Sequence, residues 1–264
     1  MILDKIAAAA KIRVAKAKLA NPLPLLQSVL QSENKFKRDC VPFPFEAALS
    51  KPGLNFICEV KKASPSKGLI SVDFKYKEIA KEYENCGAAA ISVLTEPDFF
   101  MGKNEYLTQI KQTVKIPVLR KDFIIDEYQI YEAKYIGADA ILLITAILDL
   151  ETLKRFYALA RSLGLSCLVE VHDEKELETA LKTDAKIIGV NNRNLKDFTE
   201  DINNSLNLRK LVANDKIFVS ESAIKTKEHI DLLRQNNVNA VLIGETLMKS
   251  GNMRKKLEEL KSGL

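Results

Sequence analysis

Five strand-like apolar runs in this chain end in side chains that can do acid, base or amide chemistry. The runs lie in the segments FICEVKKASPS, PVLRKDF, CLVEVHDE, IIGVNNRNL and IFVSESAI. The side chains at their ends are Glu59, Lys61, Lys121, Glu170, Asn191, Glu221 and Ser222. Lysines and carboxylates transfer protons, and an amide or a hydroxyl can orient a reacting group. We therefore expect an active site wherever the fold brings these ends together.

From residue 54 onward, strands and helices must alternate to position these groups. Strands are predicted at 55–61, 89–94, 117–121, 139–144, 166–171, 186–190, 216–220 and 239–243. Helices are predicted at 75–86, 103–114, 126–136, 149–163, 173–182, 203–213, 225–235 and 252–261. Such alternation is typical of parallel strands joined by crossover helices. The predicted fold class is α/β, a (β/α)8 TIM barrel with additional N-terminal helices, in which all strand ends open on one face.

An open, doubly wound sheet is the competing fold, but no GxGxxG motif follows the first strand. The additional N-terminal helices are predicted at 2–19 and 23–33. The length of 264 residues suits one barrel of roughly 250 residues. We predict a single (β/α)8 barrel domain over 1–264, of which 1–50 is an N-terminal helical extension. Gly87, Gly137 and Gly164 fall where helices should end.

Composition and charge argue against several classes of protein. The formal net charge of +5 weakly favours an anionic substrate and falls short of the footprint of a nucleic-acid-binding protein. No apolar run approaches the roughly 20 residues that a membrane-spanning helix needs, and the N-terminal stretch offers only IAAAA as a signal core. We expect a mature protein with neither a nucleic-acid partner nor a membrane partner.

Cysteines, histidines and serines suggest no further chemistry. The cysteines are Cys40, Cys58, Cys86 and Cys167, and they show no CxxC pairing, which favours a reduced, cytoplasmic location. His172 and His229 are isolated, and no serine lies in a GxSxG motif. We expect no metal site and no nucleophilic serine, and we interpret His172 as a loop or helix-capping residue.

The first predicted helix allows two interpretations. An apolar stripe runs between its basic side chains, which are Lys5, Lys11, Arg13, Lys16 and Lys18. The helix could form a lid over the barrel or an arm that attracts anions. Alternatively, it is a solvated helix packed on the outside of the barrel, and this is favoured for the individual lysines because charge runs usually mark solvated faces.

The spacing of the polar residues suggests a role for each. Glu59 and Lys61 lie two apart on one strand, so both side chains point into the barrel. Lys121 should sit at another strand end, where crowding by Lys61 and desolvation would lower its pKa and make it a proton donor; a surface lysine is the alternative. Glu170 interrupts the apolar strand CLVEV, where a carboxylate is rarely placed for stability.

The residues that follow the seventh and eighth predicted strands also indicate a phosphate-binding site. The seventh strand ends in SESAI and the eighth in LIGETLM, and the loops after these strands hold a phosphate in many barrels. Gly244 would let the backbone approach an anion closely. Ser64, Ser66 and Arg193 are further donors for a doubly anionic ligand, although any of them could be an ordinary turn residue.

These segments together resemble a known family. The ordered series CEVKKASPSKG, LRKDFIIDEYQI, GADAILLI, LVEVHDE, IGVNNRNL, SESAI and NAVLIGETLM is similar to the indole-3-glycerol phosphate synthase family, with KDF and NNRNL as the most specific blocks. The resemblance implies a carboxy-lyase of tryptophan biosynthesis that closes the indole ring of 1-(2-carboxyphenylamino)-1-deoxyribulose 5-phosphate and releases carbon dioxide and water. It implies a phosphorylated small-molecule substrate and no cofactor or metal, and it leaves association with other tryptophan-pathway enzymes open.

At matching positions the resemblance also implies roles. Lys121 is the general acid that protonates the ketone oxygen while the aromatic carbon attacks. Lys61 pairs with the substrate carboxylate and assists the later dehydration with Glu170. Glu59 orients the lysines, and Asn191 positions the reacting hydroxyls.

The resemblance implies further binding groups around these. Glu221 and Ser222 complete the polar rim, and Ser64 belongs to the substrate-binding set. The backbone that would hold the phosphate lies at Ser222, Ala223, Gly244 and Glu245, with Arg193 nearby. Walls for the aromatic ring, or ordinary core residues, are Phe123, Leu142 and Leu195.

Two departures and two rival functions accompany the resemblance. The family commonly has Gly at the position of Ala223 and a Gly-Ser pair where this chain has Gly102 and Lys103. A positive φ at Ala223 would be strained, and Lys103 would either add charge to the barrel mouth or face solvent. The rivals are a phosphoribosylanthranilate isomerase, which would not need the set of Lys61, Lys121 and Glu170, and a binding module without turnover.

Overall fold

Eight short apolar runs form parallel strands whose two faces are both covered by other elements. The computed structural model describes residues 2–32, 42–194 and 196–263. The strands are β1 Asn55–Val60, β2 Ala90–Leu94, β3 Val118–Lys121, β4 Ala140–Ile144, β5 Ser166–Val171, β6 Ile187–Asn191, β7 Ile217–Glu221 and β8 Ala240–Ile243. All eight predicted strands are confirmed, and their ends differ from the prediction by one residue at most.

The sheet closes because β1 pairs in parallel with strands on both of its sides. Its register with β2 places Ile57 opposite Ala90, and its register with β8 places Asn55 opposite Ala240. The remaining strands follow one another around the barrel in sequence order. The predicted (β/α)8 barrel is confirmed, and the open sheet is excluded. All carboxyl ends of the strands therefore open on the same face.

The connecting helices cover the outside of the barrel. They are Tyr76–Asn85, Asn104–Thr113, Glu127–Tyr135, Leu150–Ser162, Glu174–Leu181, Asn203–Arg209, Lys227–Gln235 and Met253–Lys261. The eight predicted helices are confirmed, and the largest difference in length is in the helix predicted at 203–213. It ends at Arg209, where the guanidinium donates hydrogen bonds to the carbonyls of Val212 at 2.6 Å and Asn237 at 2.9 Å and so fixes a turn. The predicted helix-ending glycines all have positive φ.

Additional helices precede the barrel at Ile2–Ala20, Leu23–Ser32 and Pro44–Leu49. The first two confirm the prediction, although residue 33 lies outside the described residues. Several short elements were not predicted, because two to six residues show no readable period: these are Pro44–Leu49, Pro97–Phe100, Thr145–Ile147, Glu245–Met248 and the hairpin of Ala63–Ser64 with Gly68–Leu69. The single-domain organisation with a boundary at residue 50 stays a prediction.

Side chains along β1 alternate between two hydrophobic cores. Ile57 belongs to the core inside the barrel, where it is joined by Phe45 and Leu49 from the helix Pro44–Leu49. Its neighbours along the strand face the surrounding helices instead. Glu59 and Lys61 continue the inward series and are buried, as their spacing predicted. Within the ranges described above, no helix is both long and apolar enough to cross a lipid bilayer.

Candidate active site

A cavity of about 240 Å³ opens among the carboxyl ends of the strands. The predicted side chains that line it are Glu59, Lys61, Lys121, Phe123, Leu142, Glu170, Asn191, Arg193, Glu221, Ser222, Ala223, Gly244 and Glu245. These residues come from six of the strands, β1 and β3 to β7, and from segments that follow β1, β3, β6, β7 and β8. Residues far apart in sequence therefore meet here, as the barrel geometry predicted.

Lys121 lies between two buried carboxylates. Its Nζ is 2.7 Å from Oε2 of Glu170 and 3.2 Å from Oε2 of Glu221. Burial alone would lower the pKa of Lys121, but the charges of Glu170, Glu221 and Glu59 outweigh that effect and raise it well above its usual range. The predicted lowering of this pKa is therefore wrong, because carboxylates rather than Lys61 surround the ammonium group. With 14% of its side chain exposed, Lys121 is also not a surface lysine.

Glu170 is held ionised by more than Lys121. It accepts a hydrogen bond from Nδ2 of Asn191 at 3.3 Å, and its Oε1 lies 3.3 Å from Nε2 of His172. Burial would raise the pKa of Glu170, but Lys121 and His172 hold it well below its usual range. His172 does lie in the loop before the helix Glu174–Leu181, where its backbone N–H donates to Glu176, and its ring also contacts a predicted catalytic carboxylate. The sequence did contain a signal for these contacts, because His172 lies two residues after Glu170 and four residues before Glu176.

His172 lies between two carboxylates, since its Nδ1 is 3.0 Å from Oε2 of Glu176. Burial would lower the pKa of His172, but Glu170 and Glu176 raise it to about 10 from an ordinary value of 6.5.

A group with a raised pKa contributes stability that is complete below its unfolded pKa and is lost as the pH rises through its folded pKa. We expect the free energy of unfolding to fall between pH 6.5 and about 10, and to fall less steeply in His172→Gln.

NMR titration of the imidazole rings checks this expectation directly. The chain has two histidines, so the spectrum of His172→Gln assigns both signals. A His172 ring that stays protonated at pH 8 supports the ion-pair geometry. A ring that loses its proton near the ordinary histidine value would contradict it.

The pKa of Glu221 is shifted upward, in the opposite direction from that of Glu170. Burial raises the pKa of Glu221 to about 7; Lys121 acts against this shift, and the charge of Glu170 adds to it. Its Oε1 has no hydrogen-bond partner among the described residues. A Cβ atom added at Gly189 would lie 2.3 Å from that oxygen. Gly189, on the neighbouring strand β6, was missed by the sequence reasoning, and it provides the space that the Glu221 carboxyl group occupies.

Glu59 and Lys61 form a second buried pair in the cavity. The Nζ of Lys61 donates to Oε1 of Glu59 at 2.5 Å. A Cβ atom at Gly244 would lie 2.4 Å from the same Oε1. The close approach at Gly244 that was predicted for an anion is thus made by the Glu59 carboxylate. Gly244 also precedes the short helix Glu245–Met248.

The side of the cavity next to β6 and β8 is rich in charge. Arg193 donates to Glu200 at 2.6 Å, to Glu245 at 3.0 Å and to the hydroxyl of Ser66 at 3.3 Å. Lys225 and Lys249 also line this part of the cavity. Ser66 reaches the cavity, whereas Ser64 lies in the hairpin with a buried hydroxyl that has no partner in the described structure.

The opposite wall of the cavity is apolar. Phe123 and Leu142 line it as predicted, whereas Leu195 lies outside the described residues. Phe100 lies with its ring centroid 6.0 Å from that of Phe123, and sequence reasoning missed it because its helix is short. The first N-terminal helix contributes Ile2, Leu3 and Ile6 to the cavity lining, which favours the interpretation of that helix as a lid.

The family model for indole-3-glycerol phosphate synthase matches residues 3–260 of the chain. The chain belongs to the indole-3-glycerol phosphate synthase family. Indole-3-glycerol phosphate synthase from Endomicrobium trichonymphae is 64% identical over 263 residues, which cover 99% of this chain and 100% of that protein. The protein of the same name from Ruminiclostridium cellulolyticum is 56% identical over 261 residues, which cover 99% of both. The family comprises carboxy-lyases of tryptophan biosynthesis that act on a phosphorylated small molecule.

Solved structures of other enzymes share the barrel. The 3-hexulose-6-phosphate synthase from Salmonella typhimurium has a TM-score of 0.64 at 11% identity, covering 78% of this chain and 96% of that chain. Thiamine phosphate pyrophosphorylase from Pyrococcus furiosus has a TM-score of 0.59 at 16% identity, covering 79% of this chain and 94% of that chain. At such identities the likeness shows the fold alone.

Both departures from the indole-3-glycerol phosphate synthase pattern have a structural counterpart. Lys103 is exposed and lies 5.9 Å from the ring centroid of Tyr106, so it faces solvent. Ser222 and Ala223 have φ angles of 64° and 61°, both in the left-handed region. The strain expected at Ala223 is therefore present. Asn192 helps to hold this loop, since its Nδ2 donates to the carbonyl of Ser222 at 3.3 Å.

Ala223→Gly is expected to stabilise the protein by about 1 kcal/mol, because glycine adopts the left-handed conformation without steric cost. Urea unfolding followed by circular dichroism measures the change. Ala213→Gly is the matched control, because Ala213 lies in an exposed loop with an ordinary φ and should lose stability slightly. Equal destabilisation by both substitutions would show that Ala223 carries no strain.

Proposed function

We propose that this chain closes the indole ring of 1-(2-carboxyphenylamino)-1-deoxyribulose 5-phosphate and releases carbon dioxide and water. The observation that carries the proposal is the position of Lys121 between Glu170 and Glu221, in a cavity with one apolar and one charged side. The apolar wall suits an aromatic ring, and the charged side suits a sugar phosphate. Membership of the indole-3-glycerol phosphate synthase family supports the same reaction.

Lys121 begins the proposed reaction as a protonated ammonium group. The ring carbon that bears the carboxylate attacks the ketone carbon, and Lys121 gives its proton to the ketone oxygen as the carbon–carbon bond forms. The carbon–carboxylate bond then breaks, carbon dioxide leaves, and the electron pair restores the aromatic ring. Lys61, which is buried in the mouth, is placed to pair with the carboxylate before it leaves.

Dehydration completes the proposed reaction. Lys61 donates a proton to the departing hydroxyl, which leaves as water, and Glu170 takes a proton from the carbon next to the ring nitrogen. Glu170 is ionised before this step, as a group that accepts a proton must be. Glu59 orients Lys61 through their hydrogen bond at 2.5 Å. Asn191, which donates to Glu170, would also position the substrate hydroxyls.

The phosphate is proposed to lie at the charged side of the cavity. Backbone N–H groups at Ser222, Ala223, Gly244 and Glu245 would surround it, as at other helix and loop termini that bind anions. Arg193 would turn from Glu200 and Glu245 toward the phosphate oxygens. Phe123 and Leu142 would contact the aromatic ring at the other side. Ser64 is proposed to support the binding loop from its buried position in the hairpin.

An assay with two substrates tests the function against its nearest rival. We expect native protein to form indole-3-glycerol phosphate from the carboxyphenylamino-deoxyribulose phosphate and to leave N-(5′-phosphoribosyl)anthranilate unchanged. Indole fluorescence is read without a tryptophan background, because the chain contains no tryptophan. Conversion of only the second substrate would identify an isomerase, and tight binding of the first without product would identify a binding module.

We further propose a cytoplasmic location and association with other enzymes of tryptophan biosynthesis. In the described part of the chain, Cys58, Cys86 and Cys167 are free thiols, as a reducing compartment would keep them. Burial raises the pKa of Cys58 and Cys167, which makes these thiols unreactive. Sedimentation of the purified chain with and without the neighbouring pathway enzymes would test the association.

A further inference from the structure

Arg13, on the first N-terminal helix, reaches two buried carboxylates on loops at the mouth of the barrel. Its Nη1 donates to Oε1 of Glu96 at 3.1 Å, and its Nη2 donates to Oδ1 of Asp122 at 2.7 Å. The side chains of Glu96 and Asp122 are 0% and 1% exposed, whereas that of Arg13 is 24% exposed. Buried carboxylates require charge compensation or hydrogen bonds. Part of that compensation comes from a helix outside the barrel.

Glu96 fixes the loop that follows β2. Its carboxylate accepts hydrogen bonds from the backbone N–H groups of Asp98 at 3.1 Å, Phe99 at 2.7 Å and Phe100 at 3.1 Å. These bonds cap the short helix Pro97–Phe100. The capped helix ends at Phe100, whose side chain lines the cavity. The orientation of Glu96 therefore sets the position of this aromatic ring.

Asp122 fixes the loop that follows β3 in a similar way. Its Oδ1 accepts from the backbone N–H of Phe123 at 2.8 Å, and its Oδ2 accepts from the hydroxyl of Thr95 at 2.7 Å and from Arg120 at 3.3 Å. The ring centroids of Phe123 and Phe100 are 6.0 Å apart. One guanidinium group thus connects the two loops that carry the aromatic part of the cavity wall.

We infer that Arg13 is a positioning residue that fixes Phe100 and Phe123 as the wall against the carboxyphenyl ring of the substrate. The inference rests on the proposed function, which supplies the aromatic occupant. Arg13 is absent from the described side chains that line the cavity, so it acts through Glu96 and Asp122. Without it, Glu96 loses a cationic partner and Asp122 keeps Arg120, which also binds Glu132.

Steady-state kinetics of Arg13→Ala test the inference. We expect KM to rise about tenfold with a smaller change in kcat, because a displaced wall weakens binding of the ring in the ground state and in the transition state alike. Arg13→Lys should lie between the native chain and Arg13→Ala, since an ammonium group reaches one carboxylate at a time. If Arg13 had a merely structural role, Arg13→Ala would have a lower melting temperature but a native KM at temperatures where the variant is folded.

Lys18→Ala is the matched control on the same helix. Lys18 pairs with Asp126 at 2.7 Å, but the pair is solvent-exposed and lies away from the cavity. We expect this variant to keep the native KM and kcat. If Arg13→Ala also keeps both constants to within about twofold, the inference is overturned.

Hydrogen exchange separates failure of this inference from failure of the proposed function. In Arg13→Ala we expect faster exchange at the amides of 98–100 and 123, and in Lys18→Ala we expect native exchange there. This result would support the positioning of the two loops even if the native chain showed no turnover, in which case the proposed function alone would fail. Unchanged exchange at these amides in Arg13→Ala would overturn the inference whatever the activity.

Discussion

Replacement of Lys121 by methionine is expected to lower kcat by about 10³-fold or more, because it removes both the proposed proton donor and the positive charge beside the forming alkoxide. Methionine keeps most of the side-chain volume, so the cavity retains its shape. Lys121 also contacts Glu170 and Glu221, and both carboxyl groups stay buried in the variant. Indole fluorescence under saturating substrate measures the change in kcat.

Lys111→Met is the control for burying a methionine in place of a paired lysine. Lys111 is more deeply buried than Lys121, with 3% of its side chain exposed against 14%, and it pairs with Asp139 outside the cavity. We expect Lys111→Met to lower the melting temperature and to retain native kcat at temperatures where it is folded. A Lys121→Met variant that is folded and closes the ring at the native rate would refute the assignment of Lys121 as general acid.

Glu170→Gln is expected to lower kcat by roughly 10²–10³-fold, because glutamine cannot accept the proton that dehydration releases. The amide can replace the carboxylate as a hydrogen-bond acceptor for Lys121, so binding of the substrate should change much less than kcat. A lag between carbon dioxide release and indole fluorescence in a single turnover would place the defect in dehydration. Rapid mixing with both readouts makes this measurement.

The matched control lies in the helix Pro44–Leu49, near the opposite end of the same strand. Glu46 pairs with Arg161 close to Ser166, where β5 begins, so Glu46→Gln changes a half-buried ion pair without touching the cavity. This variant should lose some stability and keep native kcat. If Glu170→Gln retained native kcat, the base in the proposed dehydration would have to be another group.

The fold could be predicted almost completely from the sequence because each of its repeated units is locally encoded. The strands are short apolar runs, and the helices between them have a clear amphipathic period. The short helix Pro97–Phe100 could not be predicted from its local sequence. Its start depends on the Glu96 carboxylate, and that carboxylate is in turn held by Arg13 from a helix 83 positions earlier in the sequence.

The candidate site could be predicted as a set of residues but not as an electrostatic arrangement. Spacing along β1 placed Glu59 and Lys61 inside the barrel, and the strand ends placed the remaining groups at its mouth. The sign of the pKa shift of Lys121 could not be read in this way, because it depends on which carboxylates lie within a few ångströms. Gly189 shows the same limit, since its importance follows from the position of a carboxyl group on the next strand.

Ring closure by this chain is tested by mixing native protein with 1-(2-carboxyphenylamino)-1-deoxyribulose 5-phosphate in the presence of a chelator. Carbon dioxide release and indole fluorescence are followed together. We expect one carbon dioxide to be released for each indole product, with no added metal or nucleotide. A folded protein that binds this substrate and produces neither signal would contradict this expectation.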